Sequence, residues 1–187
     1  MPADKADSSN FKALNGILLP SNEYDSNWSQ AMQLDRTDKR ILHELQLDAR
    51  ISNQELADKV GLSPSPCLRR VRQLEEAGLI KGYATELDAS KLGLKLMAIV
   101  QVAMDRHTPD RFEQFEAAIR LLPQVLECIM ITGQSADYQL KVLVKDMDEY
   151  QDFLLNKLTR LNGVSDVRSS FVLRQVVSTS VLPLDTL

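Results

Sequence analysis

Three arginines within four residues, Arg69, Arg70 and Arg72, follow a Ser63-Pro64-Ser65-Pro66 start. Read as a helix at about 100° per residue, this segment has two distinct sides. Cys67, Leu68, Val71 and Leu74 fall on an apolar arc. Ser65, Arg69, Arg72, Gln73 and Glu76 lie opposite, with Pro66 and Arg70 at the edge. The planar fork of an arginine can donate to guanine O6 and N7 together, a chemistry suited to the major groove of DNA. For an isolated amphipathic helix the ordinary reading is a solvated face, with Arg72 and Glu76 as an i,i+4 pair. The elements before it decide between the two.

Ser52 and Glu55 have capping-box spacing, and Ile51 and Leu56 have the spacing of a hydrophobic staple. Gly61 stands where a short helix needs a left-handed residue to stop. Two residues on, Ser63 is placed to cap a second helix, with Pro64 at its first position, where a missing N–H costs nothing. Helix, tight turn and helix at this spacing form a helix-turn-helix, whose second rod enters a groove by its N-terminal end. The candidate DNA contacts are Ser52, Asn53 and Gln54 on the first rod, and Ser63, Ser65, Pro66, Arg69, Arg70, Arg72 and Gln73 on the second. Arg69 is expected to read bases and Arg70 to meet a phosphate. An earlier helix is predicted over 37–47, with Ile41, Leu42 and Leu45 inward. A β-prone run over 79–87 would complete a winged domain spanning residues 34–87.

The 187 residues suffice for two small domains, and 44% hydrophobic with 26% charged residues is an ordinary globular composition. No run of about 18 apolar residues occurs, so no membrane helix is expected, and no secretion leader is read at the N-terminus; the cytoplasm is the expected location. Cys67 and Cys128 match neither a disulfide framework nor a zinc spacing, and no cofactor or metal is expected. The net charge of −4 is unevenly spread: residues 1–34 carry −2, residues 35–82 carry +1 and residues 83–187 carry −3. Such a weakly basic unit holds DNA poorly alone, which favours a dimer. Residues 1–33, rich in Ser, Asn and Asp, read as a disordered extension.

After a hinge over 88–94, residues 95–183 alternate in type. Strands are predicted over 95–104, 125–132, 138–144 and 164–177. Helices are predicted over 109–122, with Phe112, Phe115, Ala118, Ile119 and Leu122 inward, and over 147–161, with Tyr150, Phe153, Leu154, Leu158 and Leu161 inward. The order β-α-β-β-α-β is a ferredoxin-like sandwich, so the fold class is α+β. Apolar residues at successive positions in Lys141-Val142-Leu143-Val144 and Phe171-Val172-Leu173 suggest strands covered on both faces, hence a homodimer through the sheets.

Leu34-Asp35-Arg36-Thr37-Asp38-Lys39-Arg40-Ile41-Leu42, Asp48-Ala49-Arg50-Ile51-Ser52, Gly61-Leu62-Ser63-Pro64-Ser65-Pro66-Cys67 and Gly78-Leu79-Ile80-Lys81-Gly82-Tyr83 resemble the Lrp/AsnC transcription factors. The likeness covers residues 34–183. It implies a winged helix-turn-helix and a ferredoxin-like effector domain, sheet-to-sheet dimers that often assemble into octamers, and a small effector, usually an amino acid. The effector is expected near the loop between the second and third strands of that domain. Many members have G-D-x-D-Y there, whereas this chain has Gly133-Gln134-Ser135-Ala136-Asp137-Tyr138. Gly133, Asp137 and Tyr138 carry over, and Ser169 lies where relatives often have a hydroxyl. Asp137, the only acid in that loop, is the expected ammonium partner.

The resemblance implies a sequence-specific transcription regulator, modulated by an amino acid, that controls amino-acid metabolism genes. A DNA-wrapping architectural protein without effector is the alternative. Catalysis is not expected: His43 and His107 stand outside any recognisable acid–base or metal set, and no Walker loop, dinucleotide-binding glycine set or nucleophile elbow occurs.

Overall fold

The computed structural model describes the backbone of residues 11–14 and 17–20 and all atoms of residues 34–132 and 135–184. The chain divides into two compact units. Asp88–Gln175 is the body of one, and Asn27–Leu87 with Val176–Leu187 makes the other.

The helical unit holds α1 (Arg36–Leu47), α2 (Asn53–Val60) and α3 (Pro64–Glu76), numbered after a short N-terminal ribbon of β1 (Phe11–Leu14) and β2 (Ile17–Pro20). Asp35 caps α1 reciprocally with Asp38, a second capping box in this unit. Ser52 and Glu55 cap α2 as their spacing predicts, and Gly61 ends it at φ 75° in the left-handed region. Ser63 occupies the cap position of α3 without making a side-chain hydrogen bond. The core gathers Ile41, Leu56, Ala57, Val60, Cys67 and Leu74, with Leu42, Leu45, Ile51, Leu62, Val71 and Ile80 around it. Leu68, expected inward, is instead 40% exposed, because the buried stripe of α3 narrows to Cys67, Val71 and Leu74.

Residues 79–87 form no strand within this chain. The segment is held to α3 instead by the Tyr83 hydroxyl, which donates to Glu75 Oε1 at 2.8 Å. Burial, and then the neighbouring Glu75 carboxylate, push the Tyr83 phenol up to about 12. Residues 176–184, expected up to 183 in the ferredoxin-like domain, return instead to this same unit. The Gln46 side chain pairs with the backbone of Leu182, accepting its N–H at 2.6 Å and donating to its carbonyl at 3.4 Å.

The second unit is a four-stranded antiparallel sheet with helices on one face. Its elements are β3 (Leu96–Met104), α4 (Pro109–Ile119), β4 (Val125–Met130), β5 (Tyr138–Val144), α5 (Met147–Asp152) and β6 (Val164–Phe171). The strand order β4-β5-β3-β6 is that of a ferredoxin-like fold. β6 stops at Phe171, short of the expected 177, because its partner β3 begins at Leu96; the Val172 N–H bonds the Met97 carbonyl and pairing ends. α5 runs on as a π-turn over Phe153–Lys157 and a 3-10 turn over Leu158–Arg160. That widening puts Phe153 and Leu158, five residues apart, into the core together.

Every second residue of β5 is buried and the rest are half-buried. The expectation of strands covered on both faces is therefore corrected for the single chain. One face packs on the helices through Val100, Val102, Leu140 and Val142. The other mixes Ile99, Leu143 and Ile129 with Gln101, Gln139 and Lys141. Within residues 1–33, read as disordered, β1 and β2 pair in register from Phe11↔Pro20 to Leu14↔Ile17. The rest of that extension lies outside the described residues.

Candidate DNA interface and effector domain

The turn between α2 and α3 is braced from both sides. The Asn53 amide donates to the Pro64 carbonyl at 2.9 Å, tying the start of one rod to the start of the next. Arg40 from α1 donates to the carbonyls of Lys59 and Val60 at the end of α2. Cys67 and Leu74, both fully buried, fix the rotation of α3. Of the candidate contacts at α3, Ser63, Ser65, Arg69, Arg72 and Gln73 are exposed and Pro66 is half-exposed, while Leu68, Glu75 and Glu76 are also open to solvent. Gln54 is also exposed, and its amide bonds Asp58 at 3.2 Å.

Arg70 has a different task from the phosphate contact expected of it. Its guanidinium meets Asp38 Oδ1 at 2.7 Å and Asp35 Oδ2 at 2.8 Å, locking α3 to the capping box of α1. Asp38 is the one buried charged residue among those described, and Arg70 is what neutralises it. The Asp38 N–H bound by Asp35, followed by the Arg70 guanidinium, holds the Asp35 carboxyl below its usual value. The hydrogen bonds from Arg70 to Asp38 and Asp35 raise the guanidinium in turn. Asn53 and Ser52 are likewise occupied, the one with Pro64 and the other with Glu55. Nothing in the α3 periodicity could have marked Arg70 as a strut, because its partners lie more than thirty residues upstream.

In the ferredoxin-like unit the expected effector residues are dispersed. Both oxygens of Asp137 are engaged: Oδ2 accepts the Met104 N–H at 2.7 Å and Oδ1 meets His107 Nε2 at 2.8 Å. The His107 ring in turn lies over Phe112. His107, read from sequence as unconnected, is thus half of an acid–histidine pair. Tyr138 is buried on the helix-facing side against Phe112 and Phe115, and its hydroxyl donates to Glu116 Oε1 at 3.0 Å. Ser169 sits on β6, with β3 between it and the Tyr138 strand, and its hydroxyl is bonded to that of Tyr150. Gly133 lies outside the described residues. At the end of the same loop, Arg168 Nη1 donates to Ser135 Oγ at 3.1 Å, a hydrogen bond that sequence reasoning did not foresee.

Between α4 and β4 lies a cavity of about 170 Å³ lined by Glu116, Ile119, Arg120, Cys128, Met130 and Tyr138. Burial, and then the nearby Glu116 carboxylate, push the Cys128 thiol up to about 11. No group of three or more His, Cys, Asp or Glu residues arranged to hold a metal occurs among the described residues.

Comparison with known proteins agrees with this architecture. Residues 34–81 match a family model described as winged helix-turn-helix DNA-binding, and residues 97–182 match one described as the Lrp/AsnC ligand binding domain. The leucine-responsive regulatory protein of Salmonella typhimurium is 44% identical over 162 residues, covering 87% of this chain and 98% of that protein. The Escherichia coli K12 protein of the same name aligns to the same extent. A transcriptional regulator of Neisseria meningitidis, solved as a complex with L-Met, is 43% identical with a TM-score of 0.78, covering 82% of this chain and 98% of that one. An AsnC family regulator from Agrobacterium tumefaciens gives a TM-score of 0.77 at 34% identity, covering 82% and 99%. These relatives are transcription regulators, and they do not favour a purely architectural protein without an effector. A braced recognition helix joined to a ferredoxin-like ligand-binding unit, matched along most of its length, places this chain in the Lrp/AsnC family of effector-modulated DNA-binding transcription regulators.

Proposed function

We propose that this regulator binds DNA as a homodimer, reading bases through Arg69 with Ser65, Arg72 and Gln73 around it, and that a free amino acid modulates the binding. The observation that carries the reading is the exposed polar face of α3, set opposite Cys67 and Leu74 on a braced turn. Arg69 stands near the N-terminal end of the rod, the part of a recognition helix that meets base edges. The relative solved with L-Met supports an amino acid as the effector class, and on that reading genes of amino-acid metabolism are the expected targets. The apolar residues on the open sheet face, Ile99 and Leu143 half-buried and Ile129 exposed, support a dimer formed across that face. The cytoplasm is the compartment in which such a protein meets both DNA and free amino acids, and no described helix is long and apolar enough to cross a membrane.

The test is fluorescence anisotropy on DNA fragments selected from a random pool by the full chain, titrated with and without each of the twenty amino acids. One or more amino acids should change the affinity. An affinity untouched by all twenty would overturn the effector reading, and equal affinity for selected and unselected DNA would overturn sequence-specific recognition.

A further inference from the structure

The DNA-binding unit takes in a second stretch of chain that arrives after the ligand-binding unit is complete. Just beyond β6, Leu173, Val176 and Val177 are 100%, 80% and 74% exposed, so this part is a bare connector. The chain then docks on the last turn of α1, where the Gln46 amide accepts the Leu182 N–H and donates to its carbonyl. Leu182 and Leu184 also line a cavity of about 500 Å³ together with Leu42, Leu45 and Ile80. Protein interiors hold few voids larger than a water molecule, so a docked segment with that much space beside it is loosely packed. Its apolar contacts are thin, and the polar pair at Gln46 carries much of the attachment. Segments with few buried contacts open locally at low cost, so this one has two accessible states, docked and released.

Both ends of this segment are tied to something that matters. At its origin, Phe171 packs edge-on against Tyr150, with ring centroids 5.0 Å apart, and the Val172 N–H bonds the Met97 carbonyl at 2.9 Å. Met97 lies at the start of β3, so the connector and the 88–94 hinge leave the sheet side by side. At its destination, α1 is fastened to α3 by the contacts of Asp38 and Asp35 with Arg70. Docking Leu182 on Gln46 closes a loop that contains all of Asp88–Gln175, and the free energy of closing a loop depends on how its ends are held. Resting on the amino-acid-responsive reading above, we propose that residues 176–184 are a latch through which the ligand-binding unit controls DNA recognition, with Gln46 its catch and a positioning residue for α1 and α3. Coupling between two sites needs a two-state element that both of them bias. The latch continues β6 at one end and grips the helix that braces α3 at the other. Because coupling is reciprocal, bound DNA must shift the latch just as the effector does.

The test compares full-length wild type, Gln46→Leu and Gln46→Glu in anisotropy titrations of selected DNA, with and without each amino acid. Leucine removes both hydrogen bonds and keeps helix propensity, whereas glutamate keeps an acceptor for the Leu182 N–H and loses the donor. On a logarithmic scale, the fold-change in DNA affinity produced by the effective amino acid should drop by more than half in Gln46→Leu, and by less in Gln46→Glu. Calorimetric binding of that amino acid should stay within twofold of wild type. A merely structural role for Gln46 would shift both DNA affinities together and preserve their ratio. Retention of more than half of the wild-type response in Gln46→Leu would overturn the latch and leave the effector reading intact. A wild-type chain deaf to all twenty amino acids would overturn both. Hydrogen–deuterium exchange gives a second measurement that survives even if Gln46→Leu binds DNA too weakly to titrate. The peptide around Leu182 should exchange several-fold faster in Gln46→Leu, and its rate in wild type should change several-fold when selected DNA is added. Exchange indifferent to both would remove the latch.

Discussion

Arg69 and Arg70 are neighbours in sequence with opposite fates, and the difference sets their mutational signatures. Arg69 is exposed on the outer face of α3, so Arg69→Ala should weaken specific DNA binding by about 1–3 kcal/mol in an anisotropy titration, with the folded state untouched. Arg70→Ala strands the buried Asp38 carboxylate. It should lower unfolding stability by about 1–3 kcal/mol in urea, before any effect on DNA is considered. The Asp35 carboxyl, held low by the Asp38 N–H and Arg70, gives the fold a pH dependence of known sign. Its contribution is full above the unfolded carboxylate range near pH 4 and drains away as pH falls further, so urea midpoints should drop on the acid side only. Asp137→Ala should lower the melting temperature, by about 2–4 °C per kcal/mol of stability removed, and leave the response to amino acids in place. The outward arc of α3 was legible in sequence because helical periodicity encodes it. The occupations of Arg70 and Asp137 were not, since a partner on another element appears only once the chain has folded.

Elements announced by local chemistry were read correctly where their signal is local. Ser52, Glu55 and Gly61 defined α2 residue for residue. At Gly61 the backbone is left-handed, so Gly61→Ala should cost about 1–2 kcal/mol by thermal unfolding, even though the added methyl would point into open space. The signal for the β1–β2 ribbon was present too: Asn15-Gly16 between two apolar runs is a two-residue hairpin turn signature. It was outweighed by the polar composition of the flanking residues. Strand ends were harder, as β6 shows, because a strand's length is set by its partner's. The π-turn in α5 was equally invisible, since a helical pattern of Tyr150, Phe153 and Leu158 fits either winding until the core decides.

At the scale of the whole molecule, the modest +1 charge over residues 35–82 makes a lone DNA-binding unit a weak binder. The open sheet face should bring two together, and sedimentation at micromolar concentration should show a dimer or larger. A folded monomer there would contradict the proposed cover of that face. The two-unit plan followed from composition and periodicity, but the destination of residues 176–184 did not, because the segment to 183 read as the tail of the ferredoxin-like domain. Their clasp on Gln46 has a consequence for how the protein is made. The DNA-binding unit is assembled from two separate stretches of the chain, with the ligand-binding unit between them in sequence. On the ribosome α1 emerges early yet waits for Leu182 to be synthesised before Gln46 can close its two hydrogen bonds to it. A nascent chain halted after residue 175 would carry all three helices with the Gln46 amide of α1 still waiting for Leu182.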